Sequence, residues 1–199
     1  MKVCLSEIYD KLKAWRDARG ITAASQKQGY IVNVMEEFGE LAEAIRNDEN
    51  WTTCDLQYFK KHKQAAKYEI IDALCDIAVF TINAGADIPC HLKHTEIEWG
   101  KSSLNADYIL KQMVEKCAEF SYSQWDEAKC FNIILANCAY LCGHYGYNFQ
   151  LAMNETIKEI SSRTGSYNEA TKKWEKDMSN EAQAKWYRAN YEKAKIRND

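Results

Sequence analysis

Four glutamates, Glu36, Glu37, Glu40 and Glu43, interrupt an otherwise apolar stretch, VMEEFGELAEAI, at residues 34–45. A second stretch, KYEIIDALCDIAVFTINAG, sets Glu69, Asp72, Asp76 and Asn83 among isoleucine, leucine, valine and alanine. Carboxylates in such numbers can trade protons with a reacting group or hold a hard cation. Removing a charge from water costs several kcal/mol unless a partner compensates. Neither stretch carries enough lysine or arginine on the matching face to neutralise its acids. An all-oxygen donor set of this kind suits a divalent ion such as Mg²⁺ or Mn²⁺. Di-iron chemistry in a helical bundle would need Glu-x-x-His on two helices, and that motif does not occur.

The elements that must carry these acids are helical. One proline and eight glycines leave few breakers, and apolar residues recur at three and four along most of the chain. Leu5, Ile8, Tyr9, Leu12 and Trp15 make one face of a first helix that stops near Gly20. A second helix is expected over 24–47, with Ile31, Val34, Phe38, Leu41 and Ile45 turned inward. Placing residues about 100° apart sets Glu37 at the margin of that arc and Glu40 one turn further on. Glu36 and Glu43 fall toward solvent.

A third helix over 65–84 should be mostly buried, because Ile70, Ile71, Leu74, Ile77, Ala78, Val79 and Ile82 cover nearly its whole circumference. Its exceptions, Glu69, Asp72, Asp76 and Asn83, share a strip roughly 60° wide. Further helices are expected over 106–122, 126–144, 148–163 and 181–196. RNDENWTTCDLQYFKKHK reads as a loop in which a helical turn can form, and TGSYNEATKKWEKDMSN as a loop. The fold class is therefore all-α, an antiparallel helical bundle in a single domain over 1–199. An insertion is expected around 89–125, with a C-terminal helix over 181–196.

A hydrophobic fraction of 46% and an aromatic fraction of 12% exceed what disordered chains carry. The net charge of −3 argues against a partner that is a nucleic acid polymer. No apolar run reaches membrane-spanning length, and the start MKVCLSEIYDKLKAW turns amphipathic at once, so the chain reads as cytoplasmic with no membrane partner. Cys75, Cys117, Cys130, Cys138 and Cys142 lie in helical patterns without zinc-ribbon spacing and read as reduced, buried residues. Cys90, His91 and His94 offer three metal ligands with no fourth nearby, which reads as an ordinary loop more than as a zinc site.

Glu-Glu-x-x-Glu in EEFGE at 36–40, followed by Glu-x-x-Asp in EIID at 69–72, resembles the all-α nucleoside triphosphate pyrophosphohydrolase superfamily. That group includes MazG, dimeric dUTPase and phosphoribosyl-ATP pyrophosphohydrolase. EIIDALCDIAVFTINAG is similar to the phage-type and MazG-like members, and GYNFQLAMNETIKEISSRTGSYNEATKKWEKD to their last bundle helix and lysine-rich loop. The likeness covers residues 24–84 and 133–177, and the segment between departs from the compact family pattern.

The resemblance implies Mg²⁺-dependent or Mn²⁺-dependent cleavage of a (d)NTP between the α and β phosphates, giving (d)NMP and pyrophosphate. The implied metal ligands are Glu37, Glu40, Glu69 and Asp72, with Asp76 as an additional ligand or water-orienting group. Read from CDIAVF instead, Asp76 takes the aspartate position and Ala73 replaces the glutamate. Glu36 or Glu37 would accept the proton of the attacking water. Lys158, Arg163, Lys172 and Lys173 are candidates for the phosphate tail, each also readable as a surface charge, and Asn83 for base or sugar, also readable as a satisfied buried amide. Trp51, Tyr58 and Phe80 could stack on a base or simply pack. Self-association as a homodimer or homotetramer is implied as well. The competing expectation is an inactive helical interaction protein that keeps the fold and uses Trp186, Tyr187 and Tyr191 on its last helix as a partner surface.

Overall fold

The apolar periodicity is realised as helices throughout the computed structural model, which describes residues 2–50, 56–87, 96–98, 105–122, 127–168, 170 and 173–196. In chain order these are β1 (Lys2–Cys4), α1 (Leu5–Asp17), α2 (Ala23–Asn50), α3 (Leu56–Ala84), β2 (Glu96–Glu98), α4 (Ala106–Tyr122), α5 (Glu127–His144) and α6 (Phe149–Ser162). A hairpin of β3 (Gly165–Asn168) and β4 (Lys173–Lys176) follows, then a single-turn helix α7 (Asn180–Gln183) and a 3-10 turn over Tyr191–Ala194. The fold is all-α with two small antiparallel ribbons, β1 on β2 and β3 on β4.

Helix ends follow the residues that can end helices. At Gly20 the backbone takes φ +64°, and the Ile21 N–H reaches back to the Arg16 carbonyl at 3.1 Å. Gly146, φ +89°, repeats the device after α5, with the Tyr147 N–H on the Cys142 carbonyl at 2.9 Å. The side chain of Asn148 caps α6 by accepting from the Leu151 N–H at 3.1 Å.

α3 is the central element, packing along α2 for much of its length and also against α1, α5 and α6. Ile70, Ile71, Leu74 and Ile77 on it are fully buried. α4 lies on α5 and α2 and adds Ile109, Met113, Cys117 and Phe120 to the same core. Tyr30 of α2 ties three helices together: its ring meets Phe120 edge-on at 5.1 Å, and its hydroxyl bonds Thr81 of α3 at 3.1 Å. The five cysteines expected to be reduced are free and buried. Among the described residues no helix is long and apolar enough to cross a membrane.

Three expectations about elements fail. The polar stretch read as a loop after residue 45 is largely helical, since α2 runs to Asn50 and α3 begins at Leu56. Hydrophobic periodicity misses such turns because most of their residue types are polar, although these are adequate helix formers. The loop over 164–180 contains the β3–β4 hairpin, in which Tyr167 pairs with Trp174. Gly165 permits that pairing: a Cβ there would stand 2.1 Å from the Glu175 carbonyl oxygen.

The third failure is the helix over 181–196, which stops at Gln183. Beyond it, α6 side chains supply the acceptors that carbonyls would supply in a helix. The Tyr187 N–H donates to Ser162 Oγ at 2.8 Å, the Ala189 N–H to Glu159 Oε2 at 2.8 Å, and the Asn190 N–H to Glu155 Oε2 at 3.2 Å. The long helical face proposed to carry Trp186, Tyr187 and Tyr191 to a partner therefore does not exist.

Candidate metal centre

Because α2 and α3 lie along each other, the acidic margin of one meets the acidic strip of the other. Glu40, Glu43, Glu69 and Asp72 line one cleft of about 410 Å³. Glu37 and Asp76 are half-buried, whereas Glu36, Glu40, Glu43 and Glu69 stay exposed. The structure thus gathers the residues of both motifs, and Asp72 and Asp76 both stand in the group.

Their electrostatics show a site short of positive charge. Burial, then the charges of Glu40, Asp72 and Glu36, push the Glu37 carboxyl up to about 7, with Lys176 opposing. Asp76 is held well above the usual carboxylate range by burial and then by Asp72 and Glu37, against the pull of Arg163. Asp72 keeps solvent contact on its cleft side, yet the protein packed behind it still raises its carboxyl, even though a hydrogen bond from Tyr191 favours the charged form.

Several contributors were not foreseen. Tyr191 Oη donates to Asp72 Oδ1 at 2.5 Å and meets Thr156 Oγ1 at 3.0 Å, fixing Asp72 from a segment 119 residues away. Glu159 adds negative charge beside Asp72 and Asp76. It stands one helical turn before Arg163, and that spacing within NETIKEISSR was the signal available for it. Lys176, at the end of β4, is coupled to Asp76, Glu159 and Glu37, and burial lowers its own pKa. No sequence pattern marks it, because it arrives through the hairpin.

Among the predicted phosphate contacts, Arg163 faces the cluster and bonds Glu159 Oε1 at 2.9 Å. Lys158 pairs instead with Glu155 at 2.6 Å. Lys173 lies in β4, paired with Asn168. Lys172, Trp51 and the Cys90, His91 and His94 group lie outside the described residues, as does the Tyr58 side chain. Phe80 packs against the core. Asn83 is fully buried; its Oδ1 accepts from Arg16 Nη1 at 3.0 Å, while its Nδ2 has no hydrogen-bond partner among the described residues, so the amide is only half satisfied, and by a side chain where backbone was expected.

Among the described residues, no three His, Cys, Asp or Glu side chains already converge on a point where an ion would sit. The donor chemistry nevertheless fits a hard cation: the available ligands are oxygens, nearly all of them carboxylate, and Glu37, Asp72 and Asp76 are raised by burial and by neighbouring carboxylates. A divalent charge would relieve that repulsion. Comparison with protein-family models, curated proteins and solved structures finds no match for the chain.

Proposed function

We propose that the protein is a Mg²⁺-dependent or Mn²⁺-dependent nucleoside triphosphate pyrophosphohydrolase that cleaves a (d)NTP between the α and β phosphates. The observation that carries this reading is the under-neutralised acidic group formed by EEFGE and EIID on packed helices, with Glu37, Asp72 and Asp76 all raised. Glu37, Glu40, Glu69 and Asp72 would hold the metal, with Asp76 beside them. A bound divalent ion there supplies charge for the phosphate oxygens and a water of lowered pKa. Glu36 or Glu37, whichever is not fully committed to the metal, would accept the proton of the attacking water. Arg163 and Lys176 bring the positive charge that draws the polyphosphate toward the acids. On α2, Val32 and Met35 are 63% and 45% exposed, and this apolar surface supports self-association as a dimer or tetramer.

The test is incubation of the purified protein with NTPs and dNTPs, in Mg²⁺ or in EDTA, with products resolved by chromatography. Metal-dependent monophosphate plus pyrophosphate is expected. Diphosphate plus orthophosphate would mean another phosphohydrolase chemistry. No product from any nucleotide would favour an inactive interaction protein.

A further inference from the structure

Asp72 stands between two clefts. One is the acidic cleft already described. The other, of about 530 Å³, has Asp72 and Tyr68 on one side and Arg188, Ala189, Asn190 and Tyr191 of the C-terminal segment on the other. We propose that this second cleft holds the nucleoside half of a nucleotide, so that residues 188–191 form the base and sugar wall of the site. The proposal rests on the pyrophosphohydrolase reading for what lies next door, since the scissile phosphates would then sit across Asp72.

Four features argue for a nucleoside. The volume falls in the range of small-molecule pockets. Two aromatic rings border it, with centroids 6.4 Å apart, and both are pinned by their hydroxyls: Tyr191 to Asp72 and Thr156, Tyr68 to Glu192. Half-buried Tyr68 thus offers a held, flat apolar face without further ordering cost, and Tyr191, 5% exposed, backs the wall behind it. The wall itself is fixed, because the Ala189 and Asn190 N–H groups are bonded to Glu159 and Glu155 at 2.8 and 3.2 Å.

The polar groups point the same way. Asn190 Oδ1 caps the 3-10 turn by accepting from the Glu192 N–H at 3.2 Å, which leaves its amide N–H₂ without a protein partner among the described residues. Arg188 is 69% exposed and only loosely paired with Glu159, at 3.7 Å. These donors suit base and sugar oxygens and ring nitrogens. A bare polyphosphate suits the cleft poorly, since Glu69, Asp72 and Glu159 line it against Arg188 alone.

The full-length protein, wild type and two variants, is titrated by calorimetry with the four deoxynucleoside monophosphates and, separately, with inorganic pyrophosphate, in Mg²⁺. Ala189→Trp fills the cleft while keeping the backbone N–H on Glu159. It should weaken monophosphate binding roughly ten-fold or more and leave pyrophosphate binding unchanged. Arg188→Ala, at an exposed position, carries the test if the larger substitution disturbs the fold by circular dichroism, and should weaken monophosphate binding about three-fold or more. Monophosphate affinity unchanged in a folded variant overturns the subsite, as does a wild type that binds no monophosphate. A wild type that hydrolyses no triphosphate, yet loses monophosphate binding in these variants, keeps the subsite and sinks the reaction. Hydrolysis that continues with wild-type KM in both variants does the reverse.

Discussion

Buried Glu155 on α6 and the half-buried acids between α2 and α3 are shifted in opposite directions. Glu155 on α6 is 3% exposed, and burial alone would raise it. Lys158 at 2.6 Å, the Tyr187 hydroxyl and the Asn190 N–H outweigh that and hold it at about 2. Glu37 and Asp76, between α2 and α3, have acids as their nearest charged neighbours and are raised. The same chemical group is completed by the chain's own donors in one place and left incomplete in the other. A completed carboxylate fastens the fold, here by pinning the C-terminal segment, whereas an uncompensated cluster costs stability until something positive arrives.

The largest effect expected is on the incomplete side. Glu40→Ala or Asp72→Ala should lower pyrophosphate release at least about 10²-fold while helical circular dichroism is kept. Full activity in both would erase the functional half of the contrast. On the completed side, Glu155→Ala leaves Lys158, Tyr187 and the Asn190 N–H without their shared acceptor. It should cost roughly 1–3 kcal/mol, read as a lower Tm. Because the folded pKa of Glu155 lies below the ordinary value, its contribution is present above 4.5 and lost as pH falls toward about 2. Acid unfolding of Glu155→Ala should lack that part of the slope.

A pH series sharpens the comparison from the other direction. Glu37 holds its proton more tightly when folded, so its contribution to stability falls as pH rises from 4.5 to about 7. In EDTA, Glu37→Gln should flatten that fall in Tm. Added Mn²⁺ should raise the wild-type Tm more at pH 8 than at pH 5, and equal shifts would count against a metal relieving these acids. The smallest effect belongs to the contact that joins the two regions. Tyr191→Phe removes the hydrogen bond to Asp72 and should lower kcat only a few-fold, about 1 kcal/mol, with the pH profile displaced. A loss as large as that of Asp72→Ala would give Tyr191 a direct part in the chemistry.

Both motifs were legible because they ride on long helices. Once Val34, Phe38 and Leu41 are assigned inward on α2, and Ile70, Leu74 and Ile77 on α3, the helical repeat aligns Glu37 and Glu40 on one helix and Asp72 and Asp76 on the other, and the packing of α2 on α3 brings the two together. Glu159 and Tyr191 were not legible as members of the group, since their approach depends on how α6 and the last residues dock on α3. Lys176 was missed because the hairpin that carries it is made by cross-strand pairing around Gly165, with no alternation of apolar residues to announce it.

By itself, then, the sequence determined the helical class, the main helices with their inward faces, the stop near Gly20, and the alignment of acids along α2 and α3. These are local consequences of a 3.6-residue repeat and of backbone preferences. Tertiary structure alone decided the path of the C-terminal segment. EAQAKWYRANYEKA has the composition of a helix, yet Glu155, Glu159 and Ser162 offer its N–H groups acceptors fixed on α6, and burying Tyr191 against Thr156 and Asp72 requires the extended path. Helix propensity is worth tenths of a kcal/mol per residue, and a set of buried hydrogen bonds with an inserted aromatic side chain exceeds it.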